Sequence, residues 1–269
     1  MKTVILAGGL GSRLQEETHL RPKPMIEIGG QPIIWHIMKH YAQHNFDDFC
    51  IALGYLGQQI KHFFVDQYNL SGSIAIDFEK NSINRQRQND ESWKVNLIET
   101  GAATMTGGRV LQLKEGLGNE TFMLTYGDGV SNIDLQSLLT FHQRHGRLAT
   151  VTAVRPPARF GGLELDGDEV ANFTEKAVSG DSWINGGFLV FEPGIFDFIA
   201  GDDCILEKAL EQVAAENQLM AYKHAGFWQC MDTLRDKNYL QELWDSGSPP
   251  WRTWDLEVAQ NQELRLYAA

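Results

Sequence analysis

Apolar positions along the chain alternate between short unbroken runs and a helical repeat, and these patterns succeed one another from the first residues to about residue 245. Val4-Ile5-Leu6-Ala7 stops at Gly8-Gly9, which reads as a strand buried on both faces that enters a loop. Pro32 opens a helix whose Ile33, Ile34, Ile37, Met38 and Tyr41 share one face. Residues 48–53 read as a strand, 54–57 as a turn, and 58–68 as a helix with Ile60, Phe63 and Phe64 inward. Strands are predicted at 74–78 and 95–99, separated by a polar stretch, 80–91, expected to be a mobile excursion with Arg85 and Arg87 in solvent. A helix over 107–117 precedes the apolar strand 122–126, which ends in Gly127-Asp128-Gly129. Helix 135–145 and strand 149–154 follow. Beyond them the pattern is less regular: a hairpin at 161–165 and 170–175, a strand at 185–191, and helices at 204–217 and 233–245.

Strands alternating with helices predict an α/β fold with a mostly parallel central sheet covered on both faces. Ligands of such sheets sit at the carboxyl ends of the strands, where the glycine loop and Asp128 both fall. No Gly/Ser/Pro linker divides the chain, so one domain is expected over 1–245. The remaining residues, 246–269, read as an arm. Trp251 and Trp254 would be costly to leave in water, so the arm is expected to pack on this subunit or a neighbour.

Composition changes this picture little. With 269 residues, 43% apolar and 22% charged, the chain can bury a sizeable core. A net charge of −12 argues against nucleic acid or an anionic membrane as partner, but leaves room for a local phosphate site. Three scattered cysteines show neither disulfide nor zinc spacing, and the short apolar N-terminus is no leader or span, so a cytoplasmic protein is expected.

Candidate chemistry begins at Gly8-Gly9-Leu10-Gly11-Ser12-Arg13-Leu14. Glycines let backbone N–H groups approach phosphate oxygens, and Arg13 adds a fork of donors. Lys23 stands between Pro22 and Pro24; the second proline disfavours the α region for Lys23, which predicts an extended, stiff strut for its ammonium. Asp128 reads either as a turn aspartate or as a magnesium ligand emerging from a buried strand. Asp232 reads either as the cap of the helix starting near Thr233 or as a second ligand, held by the aromatic stretch before it. His36, His40 and His44 recur every four residues beside the apolar face of one helix and are expected as a surface row rather than a metal site.

Loop, arginine and braced lysine together resemble the sugar nucleotidyltransferases, whose signature is Gly-Gly-x-Gly-Thr-Arg-Leu followed by Pro-Lys-Pro; Ser12 keeps the hydroxyl of the usual threonine. The resemblance implies a Rossmann-like three-layer nucleotidyltransferase fold, with a nucleotide-binding half of about 1–130 and a sugar-binding half of about 131–245. It implies that Leu6, Ala7, Gly8, Gly9, Leu10, Gly11, Ser12, Arg13, Lys23, Thr104, Arg109 and Gly127 hold the nucleotide. Asp128 and Asp232 would hold Mg²⁺, and Arg13, Lys23 and Lys176 would act on the phosphates. Glu175-Lys176 resembles the family's Glu-Lys-Pro sugar-phosphate element, with Ala177 in place of proline. Asn185-Gly186-Gly187 reads equally as the sugar-binding turn or as a bulged strand start.

Residues 100–109 lack the Pro-x-Gly element of thymidylyl- and uridylyl-transferring members. Met105-Thr106-Gly107-Gly108-Arg109, Pro22-Lys23-Pro24-Met25, Thr125-Tyr126-Gly127-Asp128-Gly129 and 231–237 resemble instead the members that use CTP and glucose 1-phosphate. Arg109 is then either a surface residue of a helix N-terminus or the reader of cytosine, whose O2 and N3 both accept, whereas uracil carries a hydrogen on N3. The same resemblance implies a homo-oligomer, a hexamer, serving surface-polysaccharide deoxysugars. The nearest alternative is the same reaction with another sugar 1-phosphate or with UTP or dTTP, and two further rivals fare worse. A nicotinamide site would need a third loop glycine, near where Leu14 stands, and a non-catalytic sugar-nucleotide sensor would not need Arg13, Lys23, Asp128 and Asp232 intact.

Overall fold

A computed structural model describes residues 1–86, 91–155, 162–166, 169–174 and 183–254, with backbone only for 162–166 and 169–174. Its centre is a seven-stranded sheet in the order Leu219–His224, Ala149–Val154, Ile184–Phe191, Phe122–Tyr126, Lys2–Leu6, Asp48–Leu53, Lys94–Glu99. Every neighbouring pair is parallel except those made by Ile184–Phe191, which runs against both its neighbours.

Alternate residues of each strand point to opposite faces, and the core divides accordingly. Ile5, Phe49, Ile51, Met123, Phe188 and Val190 pack with the helices Ile33–Gln43 and Leu135–His145 on one face. Val4, Cys50, Leu124, Leu189 and Phe191 pack with Val110 and with Leu206, Ala209, Leu210 and Val213 of helix Leu206–Ala215 on the other. Burial on both sides is why these strands read as unbroken apolar runs. The architecture is three-layered α/β.

Parallel pairing brings the glycine loop after Leu6, Gly54 after Leu53 and Gly127 after Tyr126 to one edge of the sheet. The reversed strand starts at that edge, so Asn185 and Gly186 join them from their amino end.

Several expectations are corrected. Ser82–Gln86, inside the stretch read as an excursion, is a strand paired antiparallel with Ser73–Asp77. Its pairing is by backbone; both its faces are exposed, so no apolar alternation marked it. Arg85 is exposed, while Arg87 lies outside the described residues. The helix expected over 107–117 is two, Thr106–Gln112 and Lys114–Leu117. The strand Leu219–His224 was not foreseen, because its Leu-Met-Ala-Tyr-Lys-His alternation is shallow.

The histidine row is not on the surface: His36 and His40 are 1% and 2% exposed. The residues after helix Leu234–Asp245 fold back over them, with Trp251 1% exposed and stacked on Phe227 at 5.7 Å. The His36 Nε2–H donates to the Ile28 carbonyl at 2.8 Å, and Trp251 Nε1–H points to its Nδ1 at 3.4 Å. Trp244 and Trp35 meet the same imidazole edge to face. A helix-local pattern cannot show a cover supplied from 215 residues away.

Candidate active site

The glycine loop leaves the first strand and turns at Gly11, whose φ of +63° suits glycine. There, a Cβ would meet Thr18 Cγ2 at 2.7 Å. Thr18 fastens the turn by donating to the carbonyls of Gly11 (3.1 Å) and Leu14 (3.0 Å). Lys23 is not extended as expected. Lys23–Met25 is a 3₁₀ turn after an extended Pro22, closed by Met25 N–H to Pro22 O at 2.8 Å. Prolines fit here because the first N–H groups of a helical turn have no internal partner to lose.

That turn aims the Lys23 ammonium at two carboxylates, 2.6 Å from Asp128 Oδ2 and 2.6 Å from Asp232 Oδ1. Arg13 Nη1 reaches Asp232 Oδ2 at 2.8 Å from an otherwise exposed side chain. Burial opposes the charge on Lys23, but Asp128 and Asp232 outweigh it and raise the ammonium pKa above the usual lysine value. Burial likewise pushes the Asp232 carboxyl up, yet the hydrogen bond and charge of Lys23, with Arg13, bring it below the usual range. Asp232 does not cap a helix. Thr233 is the cap, accepting from Asp236 N–H at 3.2 Å while Asp236 Oδ2 accepts from Thr233 N–H at 2.9 Å.

Two carboxylates that converge on one cation, from the end of a buried strand and from the residue before a capped helix, fit Mg²⁺. That ion takes one or two carboxylates and completes its octahedron with phosphate and water. Among the described residues no cluster of three or more His, Cys, Asp or Glu could cage a metal, as a zinc site would require.

Two cavities flank this centre. One, of about 540 Å³, is walled by Leu6 through Arg13, Lys23, Thr104, Arg109 and Gly127. The other, of about 580 Å³, is walled by Asn185, Gly186, Gly187, Trp228, Cys230 and Asp232. The expected nucleotide residues therefore share one cavity, and Asn185 and Gly186 face the other. Glu175 and Lys176 lie outside the described residues.

Arg109 is buried, 4% exposed, not a surface residue. Its Nη1 donates to Leu53 O (2.9 Å), Gly101 O (2.8 Å) and Thr100 Oγ1 (2.6 Å), and its Nη2 to Gly8 O (3.0 Å). The guanidinium lies so close to Gly8 and Gly54 that a Cβ on either would meet Arg109 Nη1 at 2.3 or 2.5 Å. Arg109 thus ties three strand-end loops together while lining the nucleotide cavity. Burial lowers its pKa.

Sequence reasoning missed Tyr126, Glu207 and Trp228. Trp228 Nε1–H donates to Gly186 O at 2.7 Å and so fixes the turn at Asn185. Tyr126 OH donates to Glu207 Oε1 at 2.8 Å; burial, then the Glu207 carboxylate, raises its pKa. Trp228 was visible as part of an aromatic stretch before Asp232, but nothing local marked Glu207.

A strand-end glycine loop, an aimed lysine and two convergent carboxylates define a phosphate-transfer site. Residues 2–239 match the family model of the nucleotidyl transferases, and the chain belongs to that family. A glucose-1-phosphate cytidylyltransferase of Salmonella typhi is 46% identical over 257 residues, covering 95% of this chain and 100% of that protein. A probable glucose-1-phosphate cytidylyltransferase of Bacillus subtilis is 40% identical, over 94% and 100% of the two chains. The fold is similar to that of a Bacillus anthracis protein described as a putative glucose-1-phosphate thymidylyltransferase, at TM-score 0.68 and 18% identity over 90% and 94% of the chains.

Proposed function

We propose that the chain transfers the cytidylyl group of CTP to α-D-glucose 1-phosphate, giving CDP-glucose and pyrophosphate. The observation that carries this reading is the meeting of Lys23, Arg13, Asp128 and Asp232 between two cavities, in a chain 46% identical to a glucose-1-phosphate cytidylyltransferase. A phosphate oxygen of the sugar phosphate bonds to the α-phosphorus of CTP as the bond to the pyrophosphate oxygen breaks. The attacking oxygen is already anionic, since a phosphate monoester's second pKa is about 6. No general base is required, so the work is alignment and charge neutralisation.

Lys23 and Arg13 supply fixed positive charge at the α-phosphate, and loop N–H groups from Gly8 to Ser12 cradle the remaining oxygens. Asp128 and Asp232 would hold Mg²⁺, which supplies further charge neutralisation at the phosphates. Lys176 and Glu175 are assigned to the sugar phosphate by their motif alone. For the base, Arg109, lining the nucleotide cavity, offers guanidinium N–H groups to the paired acceptors of cytosine.

The test is pyrophosphate release across a matrix of sugar 1-phosphates and nucleoside triphosphates, with and without Mg²⁺. Glucose 1-phosphate with CTP and Mg²⁺ should give the highest kcat/KM; best turnover with another pair would overturn the assignment.

Self-association is part of the proposal. Phe78 is 89% exposed, and Ile76, Ile83, Val65, Tyr68 and Leu70 are each more than half exposed. A groove of about 580 Å³ beside them is lined by Phe63, Phe64, Tyr68 and Trp93. That much apolar surface fits a second copy of the chain. Among the described residues no helix is long and apolar enough to cross a membrane. With Cys50, Cys204 and Cys230 as thiols outside any disulfide and soluble phosphorylated substrates, a cytoplasmic setting is proposed.

A further inference from the structure

Four residues line both cavities: Arg13, Asp128, Tyr126 and Glu207. Arg13 and Asp128 belong to the phosphate centre. Tyr126 and Glu207 form the rest of the ridge, and neither has a part in moving charge between phosphates.

Glu207 is the second residue of helix Leu206–Ala215, and its side chain is exposed to the cleft. The start of that helix is fastened to the wall of the nucleotide cavity. Leu206 N–H donates to Thr106 Oγ1 at 2.9 Å, Met105 N–H to Asp202 O at 2.8 Å, and Gly107 N–H to Cys204 O at 2.9 Å. Gly108 lets the two backbones touch, since a Cβ there would meet Asp202 Cα at 2.5 Å. Tyr126 is fixed from the other side by Gly187, where a Cβ would meet its Cδ2 at 2.7 Å. The carboxylate is therefore held by rigid neighbours at the junction of the two cavities.

Among the described residues no cation pairs with Glu207. Tyr126 OH occupies Oε1, and no donor among the described residues reaches Oε2. A carboxylate repels the phosphates that must pass beside it, so it needs a neutral partner that donates. Next to a diphosphate, a nucleotide sugar presents such donors only as hydroxyls of the ribose on one side and of the hexose on the other.

We propose that Glu207, oriented by Tyr126, accepts a hydrogen bond from a substrate sugar hydroxyl adjacent to the diphosphate and selects substrates that carry it. This rests on the nucleotidyl-transfer reading of the same site. A site built to accept from a hydroxyl discriminates against the deoxy analogue, because the bound substrate covers the carboxylate from water and then leaves it without a donor.

The experiment compares kcat/KM for CTP with 2′-deoxyCTP and 3′-deoxyCTP, and for glucose 1-phosphate with 2-deoxyglucose 1-phosphate. It is run on wild type, Glu207→Ala, Glu207→Gln and Tyr126→Phe, with folding checked by circular dichroism melts. Wild type should lose about ten- to a hundredfold with one analogue, the yield of one charged hydrogen bond. In Glu207→Ala that loss should shrink towards unity for the same analogue, and the analogue affected says whether ribose or hexose is read. Glu207→Gln should restore part of it, because its carbonyl still accepts. Tyr126→Phe should shrink it less than Glu207→Ala does, and should act through KM more than kcat, as expected of a positioning residue. Losses unchanged in Glu207→Ala for all three analogues, or absent in wild type, would overturn the proposal. If wild type turns over a different nucleotide or sugar phosphate, the cytidylyl reading fails, and the same deoxy comparison on that active pair still decides the role of Glu207.

Discussion

Two of the places where the fold buries basic side chains treat the charge in opposite ways. Lys23 sits between Asp128 and Asp232, which hold its ammonium charged against the opposing effect of burial. His36, packed under Trp244, Trp251 and Trp254, and His40, packed against Tyr41 and Phe188, meet carbonyls, rings and Arg252 or His44, with Asp134 the smallest influence on His40. Burial there lowers their pKa values from 6.5 to about 4 and about 3, so both are neutral at physiological pH. A buried cation survives where carboxylates have been brought into contact with it from other elements; where the contacts brought are rings and carbonyls, the fold keeps the neutral form. The first arrangement can meet a phosphate, and the second can only pack.

The contrast breaks most sharply at Lys23. Lys23→Ala should keep the fold and reduce turnover by about 10²–10³. Near wild-type pyrophosphate release from a folded variant would remove Lys23 from the reaction. Asp128→Asn and Asp232→Asn should each raise the Mg²⁺ concentration needed for half-maximal rate and lower the maximum. An unchanged Mg²⁺ titration in both would show that these carboxylates serve only to hold Lys23.

Arg109 sharpens the comparison, being a buried base that no carboxylate among the described residues accompanies. Arg109→Ala should lower the CTP/UTP ratio of kcat/KM by about ten- to a hundredfold. It should also cost about 1–3 kcal/mol in denaturant unfolding, because the carbonyls of Gly8, Leu53 and Gly101 each lose a donor, those of Gly8 and Leu53 keeping Tyr55 N–H and Thr100. A stability loss with an unaltered ratio would make Arg109 a brace alone.

The smallest effect concerns the histidines. Above pH 6.5 they are neutral in both folded and unfolded chains. Below it the unfolded chain binds protons that the folded chain refuses, so stability falls as pH drops from 6.5 towards about 4 for His36 and about 3 for His40. His36→Gln should flatten the dependence of Tm on pH across that window, and an equal slope would show that His36 is not protonated preferentially on unfolding.

What could be read from the sequence follows the same division. Strands buried on both faces, such as 48–53 and 122–126, announced themselves as unbroken apolar runs because the cause of their burial is local to the pattern. Lys23, Arg13 and the glycine loop were legible because they lie within one short stretch. The burial of His36 was not, since its cover comes from Trp251. The backbone of Lys23 was misjudged, because the proline rule does not anticipate a 3₁₀ turn. Glu207 was invisible for a related reason: an exposed glutamate in a helix gains meaning only from Tyr126, 81 residues earlier.

The most direct measurement offers the wild-type protein an equimolar mixture of CTP, UTP, dTTP, GTP and ATP with glucose 1-phosphate and Mg²⁺. Products are identified by mass and pyrophosphate is counted in the same reaction. The expected result is CDP-glucose as the dominant nucleotide sugar, with one pyrophosphate per product. Dominance of another nucleotide sugar, or consumption of CTP without CDP-glucose, would contradict cytidylyl transfer.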